Sequence, residues 1–162
     1  MGRCLGDVIE KGEYKNGLAY LPSTRKDFEE VRDMMINELS KPFDLSVKPL
    51  KSESGFFIMV DISKCKDLIP SKFTQSHDYE DVSKGDPVSK NIVYIEDGRV
   101  PLDLAFCRWM AVERGVIMMP NSLFYNKTSP YRVDNLVRLS ICKGLEHSTK
   151  AILRMKGKVK TD

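Results

Sequence analysis

The stretch Asn135-Leu136-Val137-Arg138-Leu139-Ser140-Ile141-Cys142-Lys143 alternates apolar and mixed positions. Side chains of a strand alternate with a period of two, so Val137, Leu139 and Ile141 share one face. Leu136, Arg138, Ser140 and Cys142 share the other. The first face is apolar throughout and calls for a core. The second carries a guanidinium in mid-strand. Such a group either points into a polar cleft or stands solvated on an exposed sheet face. In a cleft its planar fork would grip a carboxylate at two points, which a Lys cannot do. The residues alone leave both readings open.

A partner strand lies upstream. Gly55 precedes Phe56-Phe57-Ile58-Met59-Val60-Asp61-Ile62, apolar on both faces except at Asp61, so it reads as a central strand covered on two sides. Val116 to Pro120 predicts a short buried strand, entered directly from a helix. That helix opens at Pro101, which suits a first turn, and stops at Gly115. Between them Leu102, Ala105, Phe106, Trp109 and Val112 recur at helical spacing. Farther upstream, Thr24-x-x-Asp27 has the form of a capping box. The stripe Phe28, Val31, Met35 and Leu39 follows it, and Pro42 ends it. Beyond Gly144, the residues Leu145, Thr149, Ile152 and Met155 predict a terminal amphipathic helix.

Two stretches lack such patterns. Residues 1–22 read as a connector, with room for a short helix at 5–11. From 64 to 100 the periodicity dissolves around Pro70, Gly85, Pro87 and Gly98, and Ile92 to Ile95 is the one strand-like run. Loops this long are often lids or insertions. The order of elements predicts an α+β fold, a small layer in which a few-stranded sheet packs against helices. One domain spans 23–162, with the insertion at about 64–100.

Composition narrows the function classes. The 162 residues are 41% hydrophobic with a net charge of +3, which excludes disorder as the global state. No apolar run approaches the roughly 18 residues that a membrane span needs. Asp7, Glu10 and Glu13 interrupt the region where a secretory signal would lie. The expectation is a soluble intracellular chain with no membrane partner. The excess charge sits in residues 143–162, where Lys143, Lys150, Arg154, Lys156, Lys158 and Lys160 face only Glu146 and Asp162. A basic tail without interleaved aromatics is not a nucleic-acid footprint. Cys4, Cys65, Cys107 and Cys142 form no C-x-x-C pair and have no His nearby, so they are expected to be reduced and mostly buried. His77-Asp78-Tyr79-Glu80-Asp81 lacks any metal-ligand spacing and reads as a solvated acidic loop. No Ser–His–Asp set, phosphate loop or dinucleotide glycine fingerprint is present, and no Lys looks desolvated enough for Schiff-base chemistry.

Several blocks together resemble one family. Ser54 to Ser63 is similar to the Gly-x-aromatic-Phe strand of class I/II pyridoxal-phosphate aminotransferases, of the kynurenine aminotransferase or cysteine-conjugate β-lyase kind. Phe106-Cys107-Arg108-Trp109-Met110, then Arg114 to Tyr125, resembles that family's helix, strand and IPxSxFY loop. Asn135 to Lys143 is similar to its Y-I-R-F-C-F-x-K strand, and Tyr20 to Lys51, with Arg32 and Lys48-Pro49, to its upstream helix and turn. The resemblance runs from about Val8 to Met155 and covers only the C-terminal small domain, with residues 1–22 as the end of the interdomain helix.

The resemblance implies a transferase that passes an amino group from an amino acid to a 2-oxo acid, of the kynurenine, aromatic or glutamine type. Arg138 would bind the substrate carboxylate, and Phe56 and Ser122, with the rest of the Asn121–Tyr125 loop, would line the cleft. Pyridoxal 5'-phosphate would serve the intact enzyme. The Schiff-base Lys, the Asp for the pyridine nitrogen and the phosphate cup belong to the family's large domain, which this chain does not match. The isolated chain is therefore expected to bind no cofactor and to have no catalytic residue of its own. The family's usual state is a homodimer; the expected location of this chain is the cytoplasm, with mitochondria as the alternative. The alternative is a non-catalytic module that kept the small-domain fold, to bind a carboxylate or to regulate a partner.

Overall fold

In the computed structural model, the residues described are Lys15, 18–74, 100–126 and 128–158. The short helix expected at 5–11, the acidic run at His77–Asp81 and the strand-like Ile92–Ile95 lie outside them. The element order is α1 (Tyr20–Ser40), β1 (Lys48–Pro49), β2 (Phe57–Asp61), a 3-10 turn (Ser63–Leu68), α2 (Ser71–Thr74), α3 (Leu102–Arg114), β3 (Met119–Pro120), a second 3-10 turn (Ser122–Phe124), β4 (Leu136–Ser140) and α4 (Gly144–Met155). The four strands form one antiparallel sheet in the order β1-β2-β4-β3. This is an α+β fold, as the pattern of elements predicts. Among the described residues no helix is long and apolar enough to cross a membrane.

The two long strands form the centre of the sheet. Ile58 and Val60 of β2 stand opposite Leu139 and Val137 of β4, and all four are buried on one face. Val31, Met35 and Leu39 of α1, Phe106, Trp109 and Met110 of α3, and Ile152 and Met155 of α4 pack into the same core. The helical stripes read from the sequence therefore meet one side of the sheet. The other side is open: Phe57 is 39% exposed, and Met59, Asp61, Leu136, Arg138 and Ser140 are half-buried. That corrects the expectation that β2 is covered on both faces. Apolar residues on both sides of a strand do not require two covering layers, because a sheet face can also wait for a partner.

Other boundaries shift for local reasons. Helix α1 begins at Tyr20, four residues before the predicted cap, because Pro22 fits a first turn where N–H groups have no helical acceptor. Thr24 is then inside the helix, and its hydroxyl donates to Tyr20 O at 2.8 Å, so the capping box does not form. Gly115 ends α3 in the left-handed region at φ 62°, as expected, and its N–H donates to Met110 O. The expected buried strand at 116–120 is reduced to a two-residue edge: Val116, Met118 and Pro120 are buried, whereas Ile117 is 89% exposed. Val112 and Leu145, assigned to apolar stripes, face solvent, and Ser148 takes the buried place on α4. Cys65 and Cys107 are buried and free, but Cys142, two residues past the end of β4, is exposed.

Candidate functional site

Arg138 occupies the middle of β4, between Met59 of β2 and Met119 of β3 in the cross-strand register. It points to the open face, with Ser140 and away from Val137, Leu139 and Ile141. The Phe124 ring covers the guanidinium, 3.8 Å from its carbon to the ring centroid, and Phe57 flanks it at 5.9 Å. Aromatic faces attract a guanidinium, by about 0.5–1 kcal/mol where water competes. No ion pair holds Arg138 among the described residues, and its Nε is buried without a hydrogen-bond partner. A buried donor left unpaired carries a desolvation cost of about 1–3 kcal/mol, so this group is short of an acceptor.

The carboxylate sharing that face is already engaged. Asp61 accepts from the Ser63 N–H at 2.8 Å, from the Ser63 hydroxyl, and from Asn135 Nδ2 at 3.3 Å. Partial burial opposes its charge, but these bonds and the nearby Lys48 hold its pKa below the ordinary value. It stays ionised and tied to its own turn, leaving Arg138 for something else.

The loop that presents Phe124 is pinned from behind. Asn121 N–H donates to Leu136 O at 3.2 Å, which anchors the loop to β4. Asp103, in the first turn of α3 and fully buried, accepts from Ser122 N–H at 2.6 Å, from the Ser122 hydroxyl at 2.8 Å and from Leu104 N–H at 2.8 Å. Burial pushes its carboxyl pKa up, and those hydrogen bonds offset only part of the rise. Ser122 is 1% exposed, and both its donors are spent on Asp103. Its place is behind the loop, with Phe124 in front.

Phe56 stands elsewhere. It is 56% exposed and meets Phe28 of α1 edge-to-face at 5.6 Å. Together they line a groove of about 410 Å³ that also takes in Leu21, Arg25, Arg32 and Ile141. Of the three residues named from the sequence, only Arg138 is on the open face. The aromatic residues beside it are Phe57 and Phe124. Register decides this: Phe57 pairs with Ser140 and so shares a face with Arg138, whereas Phe56, one step back, points to the other side. Asp103 could not have been found locally, since an acid in a first turn reads as a dipole partner. Only the fold joins it to Ser122, 19 residues on.

Among the described residues no group of three His, Cys, Asp or Glu could hold a metal ion. Lys48 is on the open face, across from Asp61, and is exposed on the edge strand. Lys156 has a side chain only 5% exposed, but it is bound to Glu38 at 2.8 Å on the opposite side of the molecule's sheet, between α1 and α4. Every other described Lys is exposed. A Schiff-base amine is commonly activated by desolvation, and Lys48 is exposed to water.

No family model matches the chain. A protein of Saccharomyces cerevisiae named "Probable kynurenine--oxoglutarate transaminase BNA3" is 28% identical over 133 residues, which are 80% of this chain and 26% of that protein. The crystal structure of Bna3p from the same yeast superposes with a TM-score of 0.60 at 22% identity, over 86% of this chain and 27% of the other. The aspartate aminotransferase of Rhizobium meliloti gives 0.54 at 18% identity, over 89% and 28%. YbdL of Escherichia coli, reported with a methionine aminotransferase function, gives 0.51 at 22%, over 85% and 26%. The relative and the structural neighbours are aminotransferases, and this chain has the fold of their C-terminal portion. It spans about a quarter of the length of the proteins it matches.

Proposed function

We propose that residues 23–162 are the small domain of a pyridoxal-phosphate aminotransferase and that Arg138 holds the α-carboxylate of its substrate. The observation that carries this reading is the guanidinium in mid-sheet, on an open face, with no carboxylate partner among the described residues and an unpaired Nε. The charge and planar fork suit a carboxylate. The apolar surround of Phe57, Met59 and Phe124 suits an aromatic or long aliphatic side chain, in line with kynurenine- and aromatic-type amino acids more than with glutamine, whose amide it would leave unpaired.

The cofactor would supply the electron sink for transamination. The described residues do not fit it, since no desolvated Lys stands by Arg138. This chain's own part is to bind and orient. A carboxylate fixed at Arg138 sets where the substrate's Cα lies, and a misplacement of about 1 Å can lower the rate about a hundredfold. Ser122 acts in this reading by holding the loop, and Phe56 by shaping the groove against α1.

The test is a chimera in which this chain replaces the matching segment of Bna3p, assayed for transamination. Arg138→Lys should keep the charge, lose the two-point grip and lower kcat/KM for amino acids by about a hundredfold, close to 3 kcal/mol. Amines without a carboxylate should lose far less. Equal losses for both classes would make Arg138 structural, and a folded chimera with no activity would favour the non-catalytic module.

A further inference from the structure

We propose that Asp103 is a positioning residue for Arg138: through Ser122 it holds Phe124 over the guanidinium, and so restricts a carboxylate to the uncovered side. The proposal rests on the carboxylate reading of Arg138 and adds how its direction of approach is set. Asp103 touches neither Arg138 nor the open face. It acts through the turn: the carboxylate takes both donors of Ser122, and that residue opens the 3-10 turn whose third residue is Phe124. Phe124 N–H returns to Asn121 O at 3.0 Å, so the turn is closed on itself as well as pinned to α3 and β4.

The consequence lies in what Phe124 does to the guanidinium. A ring centroid 3.8 Å from the guanidinium carbon closes one flat side to ligand and water. Beneath it, Nε is buried without a partner. A carboxylate can then meet Arg138 only along its uncovered edge or from the other flat side. If the turn were free, Phe124, itself 54% exposed, would have little to keep it there. Burying a carboxylate is costly unless it is hydrogen-bonded, and the three N–H and O–H donors that satisfy Asp103 also fix its orientation toward Ser122.

The experiment is side-chain NMR of Arg138 in the full chain. The ring current of Phe124 should shift the Arg138 Nε–H and Cδ protons upfield. Asp103→Ala should lose most of that shift, as Phe124→Ala does, while the backbone signals of β2 and β4 stay in place. Asp103→Asn, which keeps an acceptor for the Ser122 N–H, should retain more of it than Asp103→Ala. Ser122→Ala, which removes one bond of the two, serves if Asp103→Ala does not fold. In a second arm 2-oxoglutarate is titrated and followed at Arg138. Its apparent affinity should weaken by about two- to fivefold in Asp103→Ala and in Phe124→Ala, because a guanidinium no longer held against the ring must be ordered by the ligand, at about 0.5–1 kcal/mol. An unchanged ring-current shift in Asp103→Ala, or in Ser122→Ala where that variant serves, overturns the positioning role. So does an unchanged affinity where the unmutated chain responds, and the carboxylate reading then survives. No response of unmutated Arg138 to 2-oxoglutarate removes the carboxylate reading and this proposal with it.

Discussion

Replacing Trp109 with Ala removes the largest side chain from the buried face of α3. Trp109 is 6% exposed, meets Phe106 edge-to-face at 5.9 Å and donates from Nε1 to Glu113 Oε2 at 2.7 Å. A buried aromatic of this size removes about 150–250 Å² from water, and at about 25 cal/mol per Å² that is about 4–6 kcal/mol. The extended-chain reference overstates the area, and Ala keeps one methyl group buried. The expected loss is therefore about 3–5 kcal/mol, in line with aromatic truncations elsewhere. Glu113 adds little, since Lys72 still pairs with it at 2.9 Å. Val112 is the control: it is on the same helix but 68% exposed, so Val112→Ala should change stability by no more than about 0.5 kcal/mol. Urea unfolding followed by far-ultraviolet circular dichroism reads both, because Trp109 is the chain's only Trp and fluorescence would be lost with it. An unchanged slope with denaturant confirms that the shift in midpoint is stability. A loss below about 1 kcal/mol at Trp109, or an equal loss at Val112, would refute the packing of α3 against the sheet.

Three further outcomes follow from the structure. The Lys156 and Lys41 ammonium groups hold the Glu38 pKa at about 2, below its ordinary 4.5. The stability from this link is present above about pH 4.5 and is lost as pH falls toward 2, so Glu38→Gln should flatten that part of an unfolding series run from pH 6 to 2. In a Cys4→Ser background, Ellman's reagent should label Cys142 at once in the folded protein. Cys65 and Cys107 should react only after unfolding, since both are buried and burial pushes the Cys65 pKa up to about 11 and that of Cys107 higher still. Gly157 has φ 64°, and a Cβ there would strike Arg114 Nη1. Gly157→Ala should cost about 1–2 kcal/mol by thermal unfolding, whereas a neutral result would mean that the C-terminus of α4 relaxes freely.

The core was legible because it depends on periodicity. Val31, Met35 and Leu39 at helical spacing, and Val137, Leu139 and Ile141 at strand spacing, all reach the same interior. The mid-strand guanidinium was legible for the same reason: alternation alone puts Arg138 on the opposite face, whatever strands pair with it. What surrounds it was not. Phe57 rather than Phe56 reaches Arg138 because of a register set by pairing with β4, and register is a tertiary fact. Ser122 was legible as part of a loop motif, but its commitment to Asp103 depends on how α3 docks behind β3. Val112 and Leu145 show the converse limit: a spacing can select a stripe without saying how wide the covered face is.

The edges of the sheet have a consequence of their own. β1 and β3 are two residues long, and each contains a proline, Pro49 and Pro120. A proline offers no N–H to an incoming strand, and so short an edge gives a recruit almost nothing to pair with. Among the described residues the sheet therefore leaves one broad side uncovered without inviting strand-by-strand growth into fibres. Any association it makes is steered into stacking onto that side, where a neighbour meets side chains instead of free backbone.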